Sequence, residues 1–270
     1  MAELALSDQV FTRIRGLMHE SIGLDLAPHK RTLVSARLGP RIHRLGLSDF
    51  DDYLARVCSD SDGGEFQMMV DLLTTHETYF FREPKHFDVM VSELQSRRPA
   101  SLRVWSAASS FGDEAYTIAM LLSELAAKRT IGAEWSVLGT DISDRVLHSA
   151  KEGIYPAERL RHVTEPRLKR FCLQGHGEAE GLVAMRPELK SNVSFGHLNL
   201  CHSVEGVGLF DIVFLRNVLI YFDGPTKSEV VDRVLGQLKP GGLFFIGSAE
   251  GRVPCSASLQ SLTPGAFRKV

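Results

Sequence analysis

The stretch Leu102 to Tyr116, LRVWSAASSFGDEAY, decides the fold class, because a short apolar strand runs into a turn of small residues and then into a helix. Leu102, Val104 and Trp105 supply the apolar side chains of the strand. Gly112 allows a backbone angle that other residues avoid. In open α/β sheets, a turn of this kind lies where ligands bind. The stretch therefore predicts an α/β fold with a ligand site at the turn, although an ordinary βα turn has the same pattern.

The residues that open the helix indicate which ligand the turn would hold. Asp113 and Glu114 suit the positive end of a helix dipole, but their carboxylates would repel a phosphate. A dinucleotide fingerprint needs three glycines, and this loop has one. The loop therefore favours an adenosine ligand that is cationic and carries no phosphate. S-adenosylmethionine, a sulfonium, is such a ligand.

Composition narrows the classes of protein and of partner. The 270 residues are 44% hydrophobic and 24% charged, which is ordinary for a globular chain with room for two domains. A net charge of -2 gives no general attraction to nucleic acid or to a membrane surface. The four cysteines form no CxxC pair and the ten histidines form no HExxH motif, so we expect neither a metal site nor a disulfide framework. The N-terminus lacks a signal-peptide pattern, and we expect a soluble protein with no membrane insertion.

Residues 1–75 are predicted to form a small helical domain, because apolar residues recur at helical spacing and no strand pattern competes. Gly23, Gly46 and the pair Gly63-Gly64 mark breaks between about four helices. Lys30, Arg37, Arg41 and Arg44 are spaced by seven, four and three residues, which would place them on one helix face, with a kink at Pro40. This basic stripe is either a solvated face or a docking site for an acidic partner.

The rest of the chain alternates strands with helices. We predict that residues 76–90 are a linker and the start of the cofactor domain, with a helix beginning at Pro84, and that an S-adenosylmethionine-dependent domain covers 91–270. Predicted strands are 102–106, 135–140, 193–197, 210–215 and 242–247, with helices near 113–128, 143–152 and 225–238. This order requires parallel pairing with crossover helices, as in a doubly wound sheet. The LKPGG motif before the fifth of these strands is predicted to be a helix end and a tight turn.

Two segments depart from this alternation. FCLQ and LVAMR are short β-prone runs joined by the glycine-rich GHGEAEG, which predicts a small antiparallel hairpin at about 171–187. A final strand-like segment runs from Ser261 to Val270.

Four residues are predicted at the carboxyl edge of the sheet. Asp141 ends the second strand, where doubly wound folds place an acid that binds ribose hydroxyls, although Asp is also a favoured helix N-cap. Arg216, Asn217 and Tyr221 follow the fourth predicted strand, beside the expected cofactor crevice.

Together, several segments resemble the chemotaxis receptor methyltransferase family of the CheR type. They are HKRTLVSARL, TTHETYFFREPKHF, RVWSAASSFGDEAYTIAMLL, LGTDIS, EGIYP, GHGEAEGLVAMRPEL, FLRNVLIYF and LKPGGLFFIGSAE. The resemblance covers nearly the whole chain. It implies a small N-terminal helical domain packed over a Rossmann-like class I methyltransferase domain, with a small antiparallel β-subdomain as an insertion.

The resemblance also implies an activity: transfer of methyl from S-adenosylmethionine to glutamate carboxylates of chemoreceptors, which releases S-adenosylhomocysteine. The partner would be the cytoplasmic helical region of a receptor, and a receptor C-terminal peptide could bind the β-subdomain. The enzyme would be cytoplasmic and recruited to receptor arrays. The basic stripe would contact the substrate.

Carried over one residue at a time, the family's site gives two sets. The residues matching its cofactor contacts are His76, Thr78, Arg82, Glu114, Asp141, Asn199, Leu200, Arg216 and Asn217. Arg82 and Tyr221 match residues near the transferred methyl and are the catalytic candidates. His76 stands where the family usually has Asn, and Asp113 and Ala115 replace the usual Glu and Pro of its first loop.

Two other functions compete with this interpretation. One is a methyltransferase for another protein, a nucleic acid or a small molecule. The sequence LRNVLIYF stands where exocyclic-amine methylases have an (N/D)PP(Y/F) motif. The pair Pro254-Cys255 lies outside the loop that holds the nucleophile of cytosine methylases. Nucleic acid is therefore not expected as a partner. The other is an adaptor that binds cofactor or receptor without catalysis.

Overall fold

The computed structural model describes residues 4–251 and 254–270. The α-helices are α1 Asp8–Ile22, α2 Arg31–Arg44, α3 Phe50–Ser59, α4 Gly64–Leu73, α5 Pro84–Arg97, α6 Asp113–Ala127, α7 Asp144–Glu152, α8 Glu165–Phe171, α9 Pro187–Lys190 and α10 Gly224–Gly236. The strands are β1 Ser101–Ala107, β2 Glu134–Asp141, β3 Ile154–Pro156, β4 Cys172–Gln174, β5 Leu182–Met185, β6 Val193–His197, β7 Phe210–Leu215, β8 Leu238–Ile246, β9 Leu259–Thr263 and β10 Ala266–Lys269. None of the helices in the described ranges is long and apolar enough to cross a membrane.

Helices α1 to α4 share one apolar core. It contains Ile14 and Met18 of α1, Val34 and Leu38 of α2, and Tyr53 of α3, all fully buried. Local caps set the helix ends: the Ser7 hydroxyl accepts a hydrogen bond from the Val10 N–H, and Gly23 ends α1 in the left-handed conformation. Helix α2 continues through Pro40 to Arg44.

The large sheet has seven strands in the order β6-β2-β1-β7-β8-β10-β9. The first five are parallel, and β10 pairs antiparallel with β8 and with β9. Side chains alternate between its two faces: Val104 and Phe214 pack in the cluster with α5 and α6, whereas Trp105 and Val213 pack in the cluster with α10. The predicted fold class, a helical domain with a doubly wound methyltransferase-like domain, is confirmed.

Two local predictions at the end of the sheet were wrong. The final segment is a hairpin, β9 and β10, because Pro264 and Gly265, with φ of 76° at Gly265, turn the chain inside the expected strand. The LKPGG motif is the start of strand β8, because Leu238 is buried and pairs with Phe210. The register between β7 and β8 then shifts, and Gly241 lies at this irregularity with φ of 73°.

The insertion after α7 carries a second sheet of order β3-β5-β4, all antiparallel. The predicted hairpin corresponds to β4 and β5. The third strand of the small sheet, Ile154–Pro156, was not predicted, since three residues carry too little periodicity to distinguish a strand from a loop.

The helical domain lies over the carboxyl edge of the large sheet. The Asp25 N–H donates to the carbonyl of Tyr221 at 2.9 Å, and the Asn199 amide donates to the carbonyl of Ser21 at 2.7 Å. Farther along the edge, the Gln67 side chain donates to the carbonyl of Ile142 at 2.8 Å. The strand ends and the helical domain therefore form the two walls of a cleft.

Candidate active site

This cleft contains a cavity of about 980 Å³, part of it open to solvent. It brings together every residue predicted to contact the cofactor, together with Tyr221. They are His76, Thr78, Arg82, Glu114, Asp141, Asn199, Leu200, Arg216 and Asn217. The helical domain adds Ile22 and Leu24 to the wall, which sequence reasoning missed because they are ordinary apolar positions at the end of a helix.

The loop between β1 and α6 forms the floor of the cavity with unusual backbone angles. Ala108 and Ser110 have φ of 61° and 52°, and Gly112 has φ of 87° as the N-cap of α6. A Cβ on Gly112 would lie 3.0 Å from both Ala150 and Phe195, so this position requires glycine. Such angles are costly for alanine and serine, and they concentrate at binding sites. The Ser109 hydroxyl is buried with no hydrogen-bond partner among the described residues, and it lines the cavity.

Asp141 joins two loops of the cavity through its carboxylate. One oxygen accepts from the Ser110 N–H at 2.8 Å and the other from the Ser143 N–H at 3.0 Å. Burial raises the pKa of Asp141 to about 6, against the effect of these hydrogen bonds. The N-cap of α7 is Ser143, so the alternative that Asp141 is a simple helix cap was wrong. Each oxygen keeps a lone pair with which it could accept from a ligand hydroxyl.

Arg216 is buried beneath the cavity, where it connects several parts of the chain through hydrogen bonds. Its side chain is 3% exposed and its Nε donates to Glu114 at 2.6 Å. Its Nη1 donates to the carbonyl of Arg82 at 2.9 Å and lies 3.1 Å from Nδ1 of His86. Burial and the Arg216 charge lower the pKa of His86, which leaves a neutral ring that can accept this hydrogen bond. Because Glu114 also accepts from the Ser106 hydroxyl at 2.7 Å, both of its oxygens are held within the protein.

Two carboxylates that the sequence analysis did not single out hold the loop after β7. Glu83 accepts from the Asn217 side chain at 3.2 Å and from the Ser248 N–H at 3.0 Å, and Asn217 has φ of 60°. Glu250, which is buried, accepts from the Leu219 N–H at 2.7 Å and from the Gly247 N–H at 2.6 Å. The FREP and GSAE motifs contain these acids, but only the folded chain shows that they converge on one loop.

His76 lies near Asp141 without a close hydrogen bond to it. The two side chains are 4.0 Å apart at their nearest, and His76 Nε2 lies 2.8 Å from the Thr74 hydroxyl. Burial, reinforced by the positive charge of Arg145, lowers the pKa of His76 to about 4. The ring is therefore neutral at pH 7, so His76 would meet a cationic ligand without repulsion.

Arg82 and Tyr221, the catalytic candidates, each have a polar group that could bind a ligand. Arg82 is half-buried, and one of its amino groups donates to the carbonyl of Glu77 at 2.8 Å. The rest of its guanidinium has no hydrogen-bond partner within the described residues. The Tyr221 hydroxyl likewise has none there, although its ring packs against the core of the helical domain.

The basic stripe is only partly a free surface. Arg37 donates to the carbonyls of Leu73 and Thr74 at 2.7 and 3.1 Å, and Arg41 forms two hydrogen bonds to Glu65 at 3.0 and 2.6 Å. These two arginines fasten α2 to α4 and to the chain that follows it. Lys30 and Arg44 are exposed. The prediction that all four share one helix was wrong for Lys30, which lies in the 3₁₀ turn Pro28–Lys30 before α2.

Comparison with known proteins identifies the family. The model described as "CheR methyltransferase, SAM binding domain" matches residues 76–261, and "CheR methyltransferase, all-alpha domain" matches residues 9–74. The chain belongs to the CheR methyltransferase family. A chemotaxis protein methyltransferase of Escherichia coli strain K12 is 44% identical over 92% of this chain and 86% of its own length. Chemotaxis protein methyltransferase 2 of Pseudomonas aeruginosa is 38% identical over 93% of this chain and 90% of its own.

S-adenosylmethionine is the cofactor of this CheR-family enzyme, since the matched domain binds it. The cavity fits such a ligand in three respects. Asp141 could accept from ribose hydroxyls, the orphaned Ser109 hydroxyl could bond a polar group, and the neutral His76 tolerates a positive charge. The acids Glu114 and Asp141 in the wall would disfavour a phosphate.

Substitution of Asp141 tests its role in binding. We expect Asp141→Ala to weaken S-adenosylmethionine binding by about 1–3 kcal/mol, the range for a buried polar group that loses its hydrogen-bond partner. Because burial raises the carboxyl pKa to about 6, protonation should also weaken binding in the wild type as the pH falls below 6, with little change above 7. Isothermal calorimetry between pH 5 and 8 measures both effects. Asp141→Asn should remove this pH dependence, and an unchanged dependence would assign it to another group.

Proposed function

We propose that this enzyme transfers the methyl group of S-adenosylmethionine to glutamate side chains of methyl-accepting chemotaxis receptors, forming methyl esters and S-adenosylhomocysteine. Relatives named chemotaxis protein methyltransferase support a receptor as the substrate. The observation that carries the choice of a carboxylate is the partly free Arg82 guanidinium in the cavity wall. A guanidinium fork binds a carboxylate through charge-assisted hydrogen bonds.

The reaction requires little of the protein beyond positioning the carboxylate and the methyl group. When bound, S-adenosylmethionine supplies a methyl group on a positively charged sulfur. A glutamate carboxylate, with an ordinary pKa near 4.3, is ionised at pH 7 and needs no general base. Arg82 would orient it, and the Tyr221 hydroxyl would donate a second hydrogen bond or orient the methyl. The apolar side chains Ile22, Leu24 and Val218 would keep water from the carboxylate.

A mechanism without a base predicts a turnover rate that does not depend on pH near neutrality. His76 remains neutral because its pKa is about 4, and the substrate carboxylate remains ionised. We expect the rate at saturating cofactor and receptor to be flat between about pH 6.5 and 8.5. A steep rise over this interval, abolished in one side-chain variant, would contradict the mechanism.

The receptor would be recognised on two further surfaces. The exposed members of the basic stripe, Lys30 and Arg44, would meet an acidic helix around the methylated glutamate, with Arg37 and Arg41 beside them. A receptor C-terminal peptide would bind the small sheet of the insertion, where Ile154, Leu173 and Leu182 are 49%, 43% and 38% exposed. Such binding would recruit a cytoplasmic enzyme to membrane receptor arrays.

Reversing the exposed charges of the stripe tests the first of these surfaces. The double variant Lys30→Glu/Arg44→Glu should raise the KM for receptor several-fold and leave cofactor affinity unchanged. Added salt should raise the wild-type KM in the same direction. Arg41 is unsuitable for the test, because a glutamate there would face Glu65. A KM insensitive to both changes would make the stripe a solvated face.

The acceptor itself is tested by transfer of a labelled methyl group. The enzyme is incubated with labelled S-adenosylmethionine and membranes that contain chemoreceptors, and the labelled protein is then exposed to mild base. Loss of label as methanol is expected for a carboxylate ester. A base-stable label would indicate methylation of nitrogen and a different acceptor.

A further inference from the structure

The insertion segment 157–170 is strongly basic, and most of its charges are neutralised within the molecule. Three of its cations have carboxylate partners: Arg159 with Asp113, Arg167 with Glu124, and Lys169 with Glu165. Arg161 is exposed and, within the part of the chain that the structure describes, has no carboxylate within 4.0 Å. Its charge is therefore available to a partner.

Arg161 lies beside the entrance to the active site. Its guanidinium carbon is 5.9 Å from the ring centroid of Tyr79, and that of Arg82 is also 5.9 Å from it. The His162 ring packs against Tyr79 at a centroid distance of 5.2 Å. Tyr79 directly follows Thr78, which lines the cavity. One aromatic ring thus contacts both a cation of the cavity wall and a cation outside it.

The hydrogen bonds of Arg161 leave the outer part of its guanidinium free. Its Nε donates to Nε2 of His162 at 3.1 Å, which requires that nitrogen to be unprotonated. Contact with the Tyr79 ring restrains the planar group further. Both terminal amino groups have no hydrogen-bond partner among the described residues, and they form the fork that binds a carboxylate.

We propose that Arg161, supported by Tyr79, binds a second carboxylate of the substrate while Arg82 binds the glutamate to be methylated. The two guanidinium carbons lie at equal distances from one ring centroid, so they cannot be farther apart than twice 5.9 Å. On a helix, residues four and seven apart are separated by about 6 and 10.5 Å along the axis. On the receptor helix of the proposed function, the second acid would therefore lie one or two turns from the methylated glutamate. This inference rests on the proposed function.

The test compares Arg161→Glu with a matched control. Arg170→Glu changes another exposed arginine of the same insertion, which contacts the ring of Phe171 at 5.0 Å instead of Tyr79. Initial rates are measured with a receptor cytoplasmic fragment as substrate, and cofactor affinity is measured by calorimetry. Arg161→Glu should raise the KM for the fragment about three- to tenfold with unchanged cofactor Kd, and Arg170→Glu should not.

A charge exchange identifies the partner of Arg161. Acids one and two turns from the methylated glutamate are changed to arginine in the fragment, and one of these changes should restore the KM of Arg161→Glu. If the wild type methylates the fragment but Arg161→Glu has an unchanged KM, the inference fails alone. If Arg170→Glu raises the KM equally, the effect is general charge and the inference also fails. If the wild type methylates no glutamate, the proposed function fails and the inference with it.

Discussion

Replacement of Arg216 by methionine should lower the free energy of unfolding by about 3–5 kcal/mol, the range for a buried ion pair broken on one side. The side chain is 3% exposed and donates to Glu114 and to the carbonyl of Arg82. Without it, the Glu114 carboxylate, whose side chain is 11% exposed, would keep the Ser106 hydroxyl as its one hydrogen-bond partner among the described residues. Methionine preserves much of the apolar contact with Phe87 and Phe214, so the loss would report chiefly the missing charge.

A matched control separates burial from ion pairing in general. Arg233 pairs with Glu229 at 2.7 Å, but its side chain is 32% exposed. Arg233→Met should cost about 1 kcal/mol or less, because exposed pairs contribute little. Denaturant unfolding of the three proteins measures both values. Equal losses of unfolding free energy in the two variants, or a loss below about 1 kcal/mol for Arg216→Met, would contradict a stabilising role of the buried Arg216 ion pair.

Replacement of Arg82 by alanine should reduce turnover by a factor of about ten or more, if its guanidinium holds the substrate carboxylate. Arg82→Lys should restore activity only in part, since an ammonium group lacks the planar fork. The fold should survive both changes, because among the described residues the side chain makes one hydrogen bond, to the carbonyl of Glu77. Rates at saturating cofactor, together with cofactor Kd, separate lost chemistry from lost binding.

Tyr221→Phe gives the comparison for this series. It removes one hydroxyl that has no partner among the described residues, so stability should be unchanged and turnover should fall by about tenfold or less. A turnover of Arg82→Ala close to the wild-type value would show that the carboxylate is positioned by other groups. Full rescue by Arg82→Lys would show that charge alone is sufficient.

The fold could be predicted because its signals are local. Strand patterns at 102–106 and 210–215 and the turn at Gly112 have their physical cause within a few residues of themselves. The placement of Asp141 and Arg216 in one cavity followed from the rule that parallel strands meet with their carboxyl ends at one edge.

The rest depends on contacts between distant parts of the chain. Glu83 and Ser248 are 165 residues apart, and no pattern in the FREP motif indicates that they pair. The spacing of Arg37 and Arg41 predicted their helix. It did not predict that Leu73, Thr74 and Glu65 would accept their hydrogen bonds. In both cases a side chain that could face solvent in an isolated helix or loop is bound by a neighbouring element instead.

The most direct test of the account is to locate the methyl group on the substrate. A receptor cytoplasmic fragment is incubated with the enzyme and S-adenosylmethionine, digested, and examined by tandem mass spectrometry, with Arg82→Ala in parallel. We expect added methyl groups on glutamate side chains of helical segments and strongly reduced modification by the variant. Methyl groups on lysine, arginine or another acceptor, or none on any glutamate, would contradict it.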